Sequence, residues 1–435
     1  MASFTTLPWE LCHHAFGYLS LQDKLRFSAT CKLYRTHFTP QLFETISFTN
    51  DNVIAQSALA AVKAHGAHTT RIEFVGRAEP SKEFATPVLL AATLDLLTGR
   101  HTPNVHTVQV DFDFNFDEDD DWDNNPNAPM NESIYVFAAI ETDDYFQESE
   151  KKWNWRSLMN ETWRALLGNH HVKTLIVKRF VPKWTTAFKT KEFQLFLGNL
   201  ESATFEILGG DNGAGWRANT VWGYCEFLSN DFGHVFFRHM HKLKQLEFFA
   251  SPEGPLGLQG HRYIPLAIQQ DDMPLLQSLK LVNCFIGPEL VSFIQGHAQV
   301  LRTLHLDECM GSDAAIDSMS WAQFFSQVYN SKVAIAELLV ENAMVPLTSD
   351  ERWGSAQHGP EEPVEIQEIR RKLKAQPELK LFGYKFLDEK YGICFDDEGL
   401  NASSFTAGND QRAYDRLIGL VKQNAAQRSA TRSRY

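Results

Sequence analysis

The feature that most constrains the fold of this chain is a short apolar pattern that recurs from residue 69 onward. An apolar residue (threonine in the first copy) is followed by two variable positions, a second apolar residue, one variable position and a third. Apolar residues at alternate positions are typical of a strand with one buried face. Amphipathic stretches lie between the copies, and a strand–helix unit of this kind buries its apolar face only by stacking against neighbours. The copies begin at Thr69, Val105, Val172, Leu200, Leu243, Leu276, Leu301 and Ile335.

The pattern resembles the strand signature of leucine-rich repeats. Two copies are followed by Asn283-Cys284 and by Cys309, where such repeats place Asn or Cys to satisfy the backbone of the turn. The resemblance therefore implies that both cysteines are structural, not ligands or nucleophiles. The spacing of the copies is irregular, which predicts divergent repeats with insertions. The longest interval is expected to hold an extra strand at 134–140 and an acidic insert at about 111–130.

A second dense pattern occupies the first fifty residues. Pro8 suits the first turn of a helix, where its missing N–H costs nothing, and Glu10 is favoured there by the helix dipole. Ser20 with Asp23 is typical of the start of a second helix. Pro40 is expected to end a third short helix. Helices this short bury little surface, so the unit is expected to lean on a partner or on the following domain.

The motif residues of this region are Leu7-Pro8-Trp9-Glu10-Leu11, Tyr18-Leu19, Asp23-Lys24-Leu25, Cys31 and Pro40-Gln41-Leu42-Phe43. In order and spacing they resemble an F-box over residues 4–48, with departures at Ala15 and Thr30. The resemblance implies docking on the Skp-type adaptor of cullin-RING ubiquitin ligases. The alternative is an ordinary amphipathic helical hairpin that covers the next domain. The residues implied to contact the adaptor are Leu7, Pro8, Glu10, Leu11, Tyr18, Leu19, Leu25 and Cys31.

The expected fold class is an α/β repeat: a three-helix F-box, then an irregular leucine-rich-repeat solenoid with a parallel sheet on its concave face, then a C-terminal cap. The expected domains are the F-box at 4–48, a linker at 49–68, the repeat array at 69–345 and a capping region at 346–435. Within the capping region the sequence predicts a loop at 346–363, a helix at 365–374, a hairpin joining 381–386 to 392–395, and a final helix from Asn409.

Side chains between the apolar strand positions are expected to point outward from the concave face. Their mixture of charged and aromatic groups suits recognition of a protein. For any one residue, a solvated position without a ligand is the alternative. The candidate substrate-binding residues are Lys178, Glu247, Phe249, Lys280, His305 and Asp307.

Composition excludes several classes of function. The net charge is −13, and much of the excess lies between Asp111 and Asp123, which argues against a nucleic-acid or anionic-membrane surface. Six cysteines in 435 residues do not make a disulfide scaffold. We see neither a signal peptide nor an apolar run of the roughly 18–20 residues that a transmembrane helix needs. These observations predict a cytoplasmic or nuclear protein.

Catalytic and metal-binding motifs are not evident. The acidic run lacks the order of an EF-hand, and Gly209–Gly215 lacks the Lys-Ser/Thr of a phosphate loop. The histidine pairs at 13–14, 170–171 and 239/241 have no Cys or carboxylate at a recognisable ligand spacing. We therefore expect no catalytic residues, no metal and no cofactor, and a non-catalytic receptor subunit.

The function expected from the two resemblances is substrate recognition in a Skp–cullin–F-box ubiquitin ligase. The F-box would bind the Skp-type adaptor and, through it, the cullin, while the repeats hold an unknown protein substrate. The alternative is a leucine-rich-repeat scaffold for protein interactions with no role in ubiquitin transfer.

Overall fold

A nine-stranded sheet organises the computed structural model, which describes residues 9–78, 87–114, 133–342 and 364–432. Every neighbouring pair in this sheet is parallel, and the order of the strands follows the order of the chain. The strands of the large sheet are β1 (Thr45–Thr49), β2 (Arg71–Ala78), β3 (Thr107–Phe114), β4 (Thr174–Phe180), β5 (Ser202–Ile207), β6 (Gln245–Phe249), β9 (Ser278–Val282), β10 (Thr303–Asp307) and β11 (Glu337–Glu341). The remaining strands form short antiparallel pairs outside this sheet. These pairs are β7 (Gly257–Gly260) with β8 (Tyr263–Ile264), and β12 (Lys385–Leu387) with β13 (Cys394–Asp396).

Each strand of the large sheet alternates buried and water-facing side chains, as the two-residue period of a strand requires. Ile72 and Phe74 of β2, like Leu304 and Leu306 of β10, are fully buried. The register aligns such positions from strand to strand, so they form continuous apolar rows on one face. The other face carries mainly polar and charged side chains.

Helices and irregular segments cover the apolar face. In this layer α4 packs against β1, and α8 packs against β2. Within the described ranges, three helices precede the sheet and three follow it. The helices are α1 (Trp9–Gly17), α2 (Leu21–Thr30), α3 (Lys32–Leu42), α4 (Asn52–His65), α5 (Ala91–Leu97), α6 (Ser133–Val136), α7 (Asp143–Lys152), α8 (Asn154–Leu166), α9 (Lys191–Gly198), α10 (Trp222–Glu226), α11 (Phe232–Val235), α12 (Pro288–Gly296), α13 (Trp321–Asn330), α14 (Val364–Ala375), α15 (Glu398–Ala407) and α16 (Asn409–Arg432).

The expected fold class is wrong. The chain has an α/β fold built on a nine-stranded parallel sheet, not an F-box followed by a leucine-rich-repeat solenoid. The sheet already begins at β1, within the range assigned to the F-box, and the expected linker at 49–68 contains α4. The error has a physical cause: alternating apolar residues report a half-buried strand whatever the architecture around it. A repeat fold also requires a constant period, which this chain lacks.

The insert between β3 and β4 also differs from expectation. The segment predicted as an extra strand at 134–140 begins with helix α6. Asp111 and Asp113, assigned to the acidic insert, belong to β3. Residues 115–130 of that insert lie outside the described residues, as does the predicted loop at 346–363.

The C-terminal region is tied to the end of the sheet by buried polar contacts. The Tyr384 hydroxyl donates to Asp410 Oδ2 at 2.9 Å and accepts from the Trp321 N–H at 3.0 Å. Asp410 Oδ1 also accepts from the Ala322 N–H at 2.8 Å, so this carboxylate caps the start of α13. Further along, the Asn424 amide donates to two backbone carbonyls next to β11. Helix α16 therefore covers the last strands, and the predicted hairpin is present as β12 and β13.

A buried charge cluster lies where the insert meets the turn after β4. Arg156 Nη2 and Lys183 Nζ are 2.9 and 3.4 Å from Glu141 Oε1, and all three side chains are almost completely out of water. Glu141 Oε2 accepts from the Trp184 N–H at 2.9 Å. Burial lowers the pKa of Lys183 to about 8, against the attraction of Glu141. Removing one member of such a cluster leaves an uncompensated buried charge.

None of the helices in the described ranges is both long and apolar enough to span a lipid bilayer.

Candidate functional site

The N-terminal helices α1 to α3 enclose a very small core. Phe16, Tyr34 and Phe38 are its buried members, and Leu19 and Phe27 pack against them half-buried. The Phe16 ring lies 5.0 Å from the Phe38 ring and 5.7 Å from the Tyr34 ring, centre to centre. The buried rings come from α1 and α3, and the half-buried Phe27 joins α2 to them. This core is small and leaves most of the apolar side chains of the unit outside it.

The outer surface of this unit is unusually apolar. Tyr18 is 80% exposed and Leu25 is 52% exposed. We call this set of exposed apolar side chains the N-terminal apolar surface; its members are Leu11, Tyr18, Leu21, Leu25 and Leu33. Leu21 and Leu25 are four residues apart in α2, so they lie on one face of that helix. Contiguous exposed apolar side chains mark sites of interaction.

The structure places several predicted adaptor-contact residues on or near that surface. Leu11, Tyr18 and Leu25 are exposed members of it, whereas Leu19 packs on the small core. Cys31 is exposed and links α2 to α3 in an extended conformation. Glu10 lies in α1. Leu7 and Pro8 lie outside the described residues, so the structure does not place them.

The unit meets the sheet through few contacts. The Phe43 ring, just after α3, stacks on the His65 ring at the end of α4 with 4.2 Å between ring centres. The Thr69 hydroxyl donates to the Phe43 carbonyl at 2.9 Å. These contacts fix the exit of the chain from α3 and leave the N-terminal apolar surface uncovered.

The polar face of the sheet brings together five of the six predicted substrate-binding residues. The parallel register places Glu247, Lys280 and His305 side by side on β6, β9 and β10. One row further along, Phe249 and Asp307 lie on either side of Val282. Lys178 lies apart on β4, where its register partner is Asp111 of β3.

Contacts within this group connect opposite charges and an aromatic ring. Lys280 Nζ lies 3.6 Å from Asp307 Oδ2 and 5.2 Å from the centre of the Phe249 ring. His305 Nε2 lies 3.1 Å from Glu341 Oε2. Partial burial raises the pKa of Glu206, and the nearby Asp111 and Glu247 carboxylates raise it further while Lys178 opposes them. From β5 to β11 this face carries five carboxylates but only one lysine and one histidine, so acidic groups outnumber basic ones there.

The other half of the polar face is arranged differently. Arg179 Nε lies 2.7 Å from Asp111 Oδ1, and its Nη1 lies 2.5 Å from Asp113 Oδ1. Asp113 also pairs with Arg77 at 3.2 Å. These charges neutralise one another across β2, β3 and the end of β4. Unbalanced charge on the face is therefore found mainly from β5 onward.

Three residues of the acidic half bring potential metal-ligand atoms together. His305, Asp307 and Glu341 each present one ligand atom, and these atoms all lie within 4.8 Å of one another. Sequence reasoning selected His305 and Asp307 but missed Glu341, as well as the exposed Leu339 beside it. Both belong to β11, and only the strand register, which aligns Glu341 with Asp307, reveals the grouping.

The cysteines expected to be structural are buried. The Cys309 thiol donates to the Leu281 carbonyl at 3.5 Å, and burial raises its pKa to about 12. Burial likewise raises the pKa of Cys284 well above its usual value. Asn283 has φ of 56°, and its side-chain amide donates to the Ala250 carbonyl at 3.1 Å. The Asn thus closes the turn after β9, and neither thiol is prone to ionise.

Comparison with known proteins adds little to this description of the site. No family model and no curated protein matches the chain. A solved structure described as that of L-ribulose 3-epimerase matches over 89% of this chain and 97% of that chain, at 10% identity and a TM-score of 0.18.

The expectation of a non-catalytic receptor subunit is wrong as an exclusion, because a lack of local motifs does not rule out an enzyme. The expectation rested on the lack of known local motifs, and side chains from distant positions build active sites without such motifs. A TM-score of 0.18 is too low to transfer a fold or an activity to this chain.

Proposed function

We propose that the chain is a substrate-recognition subunit of a Skp–cullin–F-box type ubiquitin ligase, acting in the cytoplasm or nucleus. Helices α1 to α3 dock on the Skp-type adaptor, which in turn binds the cullin, and the polar face of the sheet holds a protein substrate. The observation that carries this proposal is the N-terminal apolar surface, which coincides with the F-box-like motif between Leu7 and Phe43.

The energetics of the N-terminal unit favour docking. Burying apolar area is worth roughly 25 cal/mol per Å², and the exposed Leu21, Leu25 and Leu33 side chains withhold that contribution from the isolated chain. A partner that covers them supplies it. The small aromatic core keeps the helices together while leaving these leucines outward, which is the arrangement expected of a helical docking unit.

The action of such a receptor is to bring two proteins together. A substrate on the polar face and a ubiquitin-conjugating enzyme carried by the cullin become neighbours, which raises the effective concentration of a target lysine. Lys280 and the carboxylates around it give the polar face directional charged contacts, and Phe249 adds an aromatic contact. Mixed surfaces of this kind are typical of protein recognition.

The test is direct binding of the purified full chain to the Skp-type adaptor, measured by calorimetry. Leu25→Asp places a charge in the N-terminal apolar surface, and we expect it to weaken binding by at least the roughly 30-fold that loss of a 2 kcal/mol anchor causes. Leu195→Asp is the matched control, because Leu195 is a leucine of helix α9 that is 70% exposed. The control is expected to bind as the wild type does.

The motif residues provide a second variant. Leu7→Ala combined with Pro8→Ala is expected to abolish capture of the adaptor while the circular dichroism of the sheet stays unchanged. Wild-type chain that does not bind the adaptor, or Leu25→Asp that binds it undiminished, would refute the proposal. Adaptor binding without recruitment of cullin would favour the alternative, an interaction scaffold with no role in ubiquitin transfer.

A further inference from the structure

We infer that His305, Asp307 and Glu341 form a binding site for a divalent first-row transition-metal ion of the Zn²⁺ type. The site lies on the polar face of the sheet, across β10 and β11. It does not depend on adaptor docking, so it stands or falls separately from the proposed function.

The strand geometry brings the three side chains together. His305 and Asp307 are two residues apart on β10, so both point to the same face. In the parallel pairing of β10 with β11, Glu341 is the register partner of Asp307. The three ligand atoms lie within 4.8 Å of one another. The sheet fixes the three backbone positions, so a small side-chain adjustment completes the site.

One pair of ligand atoms, joined by a hydrogen bond in the structure, lies close to the separation of two ligands on one metal ion. His305 Nε2 and Glu341 Oε2 are 3.1 Å apart. Two ligands of a tetrahedral zinc ion with bonds of about 2.0–2.1 Å lie roughly 3.3 Å from each other. Asp307 needs only to turn its carboxylate toward this pair.

The donor set selects the class of ion. One imidazole nitrogen and two carboxylates suit Zn²⁺ and its first-row neighbours, whereas Ca²⁺ and Mg²⁺ prefer shells made of oxygen alone. The two carboxylates match the double positive charge of the ion. Three protein ligands leave at least one coordination position facing the solvent, because the site lies on an open face where Glu341 is half-exposed.

Lys280 competes with the ion for one of the ligands. Its ammonium nitrogen lies 3.6 Å from Asp307 Oδ2, so metal binding has to displace this contact and place two cations near each other. Removing the ammonium should therefore strengthen metal binding. This prediction runs opposite to the effect of removing any ligand, which makes Lys280 a sharp probe of the site.

The test is titration of the chelator-treated full chain with Zn²⁺ by calorimetry, and with Co²⁺ by visible absorption. We expect one saturable site in the wild type. His305→Ala, Asp307→Asn and Glu341→Gln should each weaken it by more than the roughly 10–100-fold that losing an outer-shell partner costs. The asparagine and glutamine variants keep side-chain volume, so they report on the ligands even if the alanine variant folds poorly. Lys280→Met should bind more tightly than the wild type.

The control is His171→Ala, which removes an exposed histidine from one of the histidine pairs in the sequence and leaves every free thiol in place. It should bind Zn²⁺ as the wild type does. Wild-type chain without a saturable site would overturn the inference. So would a His305→Ala variant that keeps the stoichiometry and affinity of the wild type, because the metal would then be held elsewhere.

Discussion

The N-terminal helices and the sheet distribute their apolar side chains in opposite ways. Around the sheet, one continuous core joins strands and helices from Ile46 to Val421. In the N-terminal unit, three buried aromatic residues form a separate cluster and the leucines face water. The sheet is therefore stabilised from within, whereas the helical unit leaves its leucines exposed to water. This contrast predicts effects on the stability of the sheet that are largest for substitutions in its own core and smallest for substitutions in the N-terminal unit.

The largest effect is expected from the core of the sheet. Trp163 of α8 is fully buried and packs edge-to-face against Phe188 and Phe193. Trp163→Ala should lower the free energy of unfolding by about 3–5 kcal/mol, because it leaves a cavity. Chemical denaturation followed by circular dichroism measures this. Trp222→Ala is the matched control, since Trp222 is 75% exposed, and it should unfold as the wild type does. Equal effects of the two substitutions would remove the basis of the contrast.

A smaller effect, dependent on pH, is expected from the buried charge cluster. Burial depresses the pKa of Lys183 from 10.5 to about 8. Between these values the unfolded chain holds the lysine proton and the folded chain has released it, so stability rises with pH. Lys183→Met has no such proton. The free energy of unfolding of the wild type, minus that of Lys183→Met, should therefore increase from pH 8 to pH 10.5. A difference that is flat or falling over this range would contradict the assigned direction.

Two helix caps allow a comparison of identical substitutions. Ser320 caps α13 in the sheet domain with a complete capping box to Gln323, and Ser20 caps α2 by accepting from the Asp23 N–H. Replacing either serine with alanine should cost about 1 kcal/mol locally. Ser320→Ala should lower the melting temperature of the sheet, while Ser20→Ala should speed amide exchange only in the N-terminal helices. A matching drop in melting temperature for both would show that the two regions unfold as one.

The smallest effect on the sheet is expected from Phe38→Ala. Phe38 is fully buried in the aromatic cluster of the N-terminal unit. Its loss should open α1 to α3, seen as faster hydrogen exchange, and should leave the melting temperature of the sheet unchanged. The Phe43–His65 stack and the Thr69 hydrogen bond lie beyond the cluster and are expected to persist. Unfolding of the sheet by this substitution would mean that the helical unit supports it.

The sequence located most of the sheet because burial on one face leaves a local, two-residue signature. This signature predicts eight strands and the C-terminal hairpin, whereas α16 is predicted by the Asn409 cap and by apolar residues on one face of a helix. Strand β1 was missed because Ile46 and Phe48 follow directly on the F-box-like motif and offer only two apolar positions. Helix α6 was read as a strand because a short apolar run around Ile134 fits either structure.

The candidate sites were predictable to different degrees. The N-terminal candidates are close together in the chain, so the F-box-like motif already includes Leu11, Tyr18 and Leu25. The ligand group on the sheet is not contiguous, because His305 and Glu341 come from different strands and meet only through the register. The expectation that the chain has no catalytic residues rested on a search for local motifs. Such a search cannot detect side chains that come together from distant positions in the sequence.

The matching order of strands and chain has a consequence for how this molecule can vary. Each strand pairs only with those immediately before and after it in the large sheet, so a longer excursion between two neighbours leaves all other pairings in place. The chain already uses this freedom: α6 to α8 extend one excursion, and the β7–β8 hairpin extends another. Lengthening or exchanging such segments would change the rim of the molecule while its polar face keeps the same arrangement of side chains.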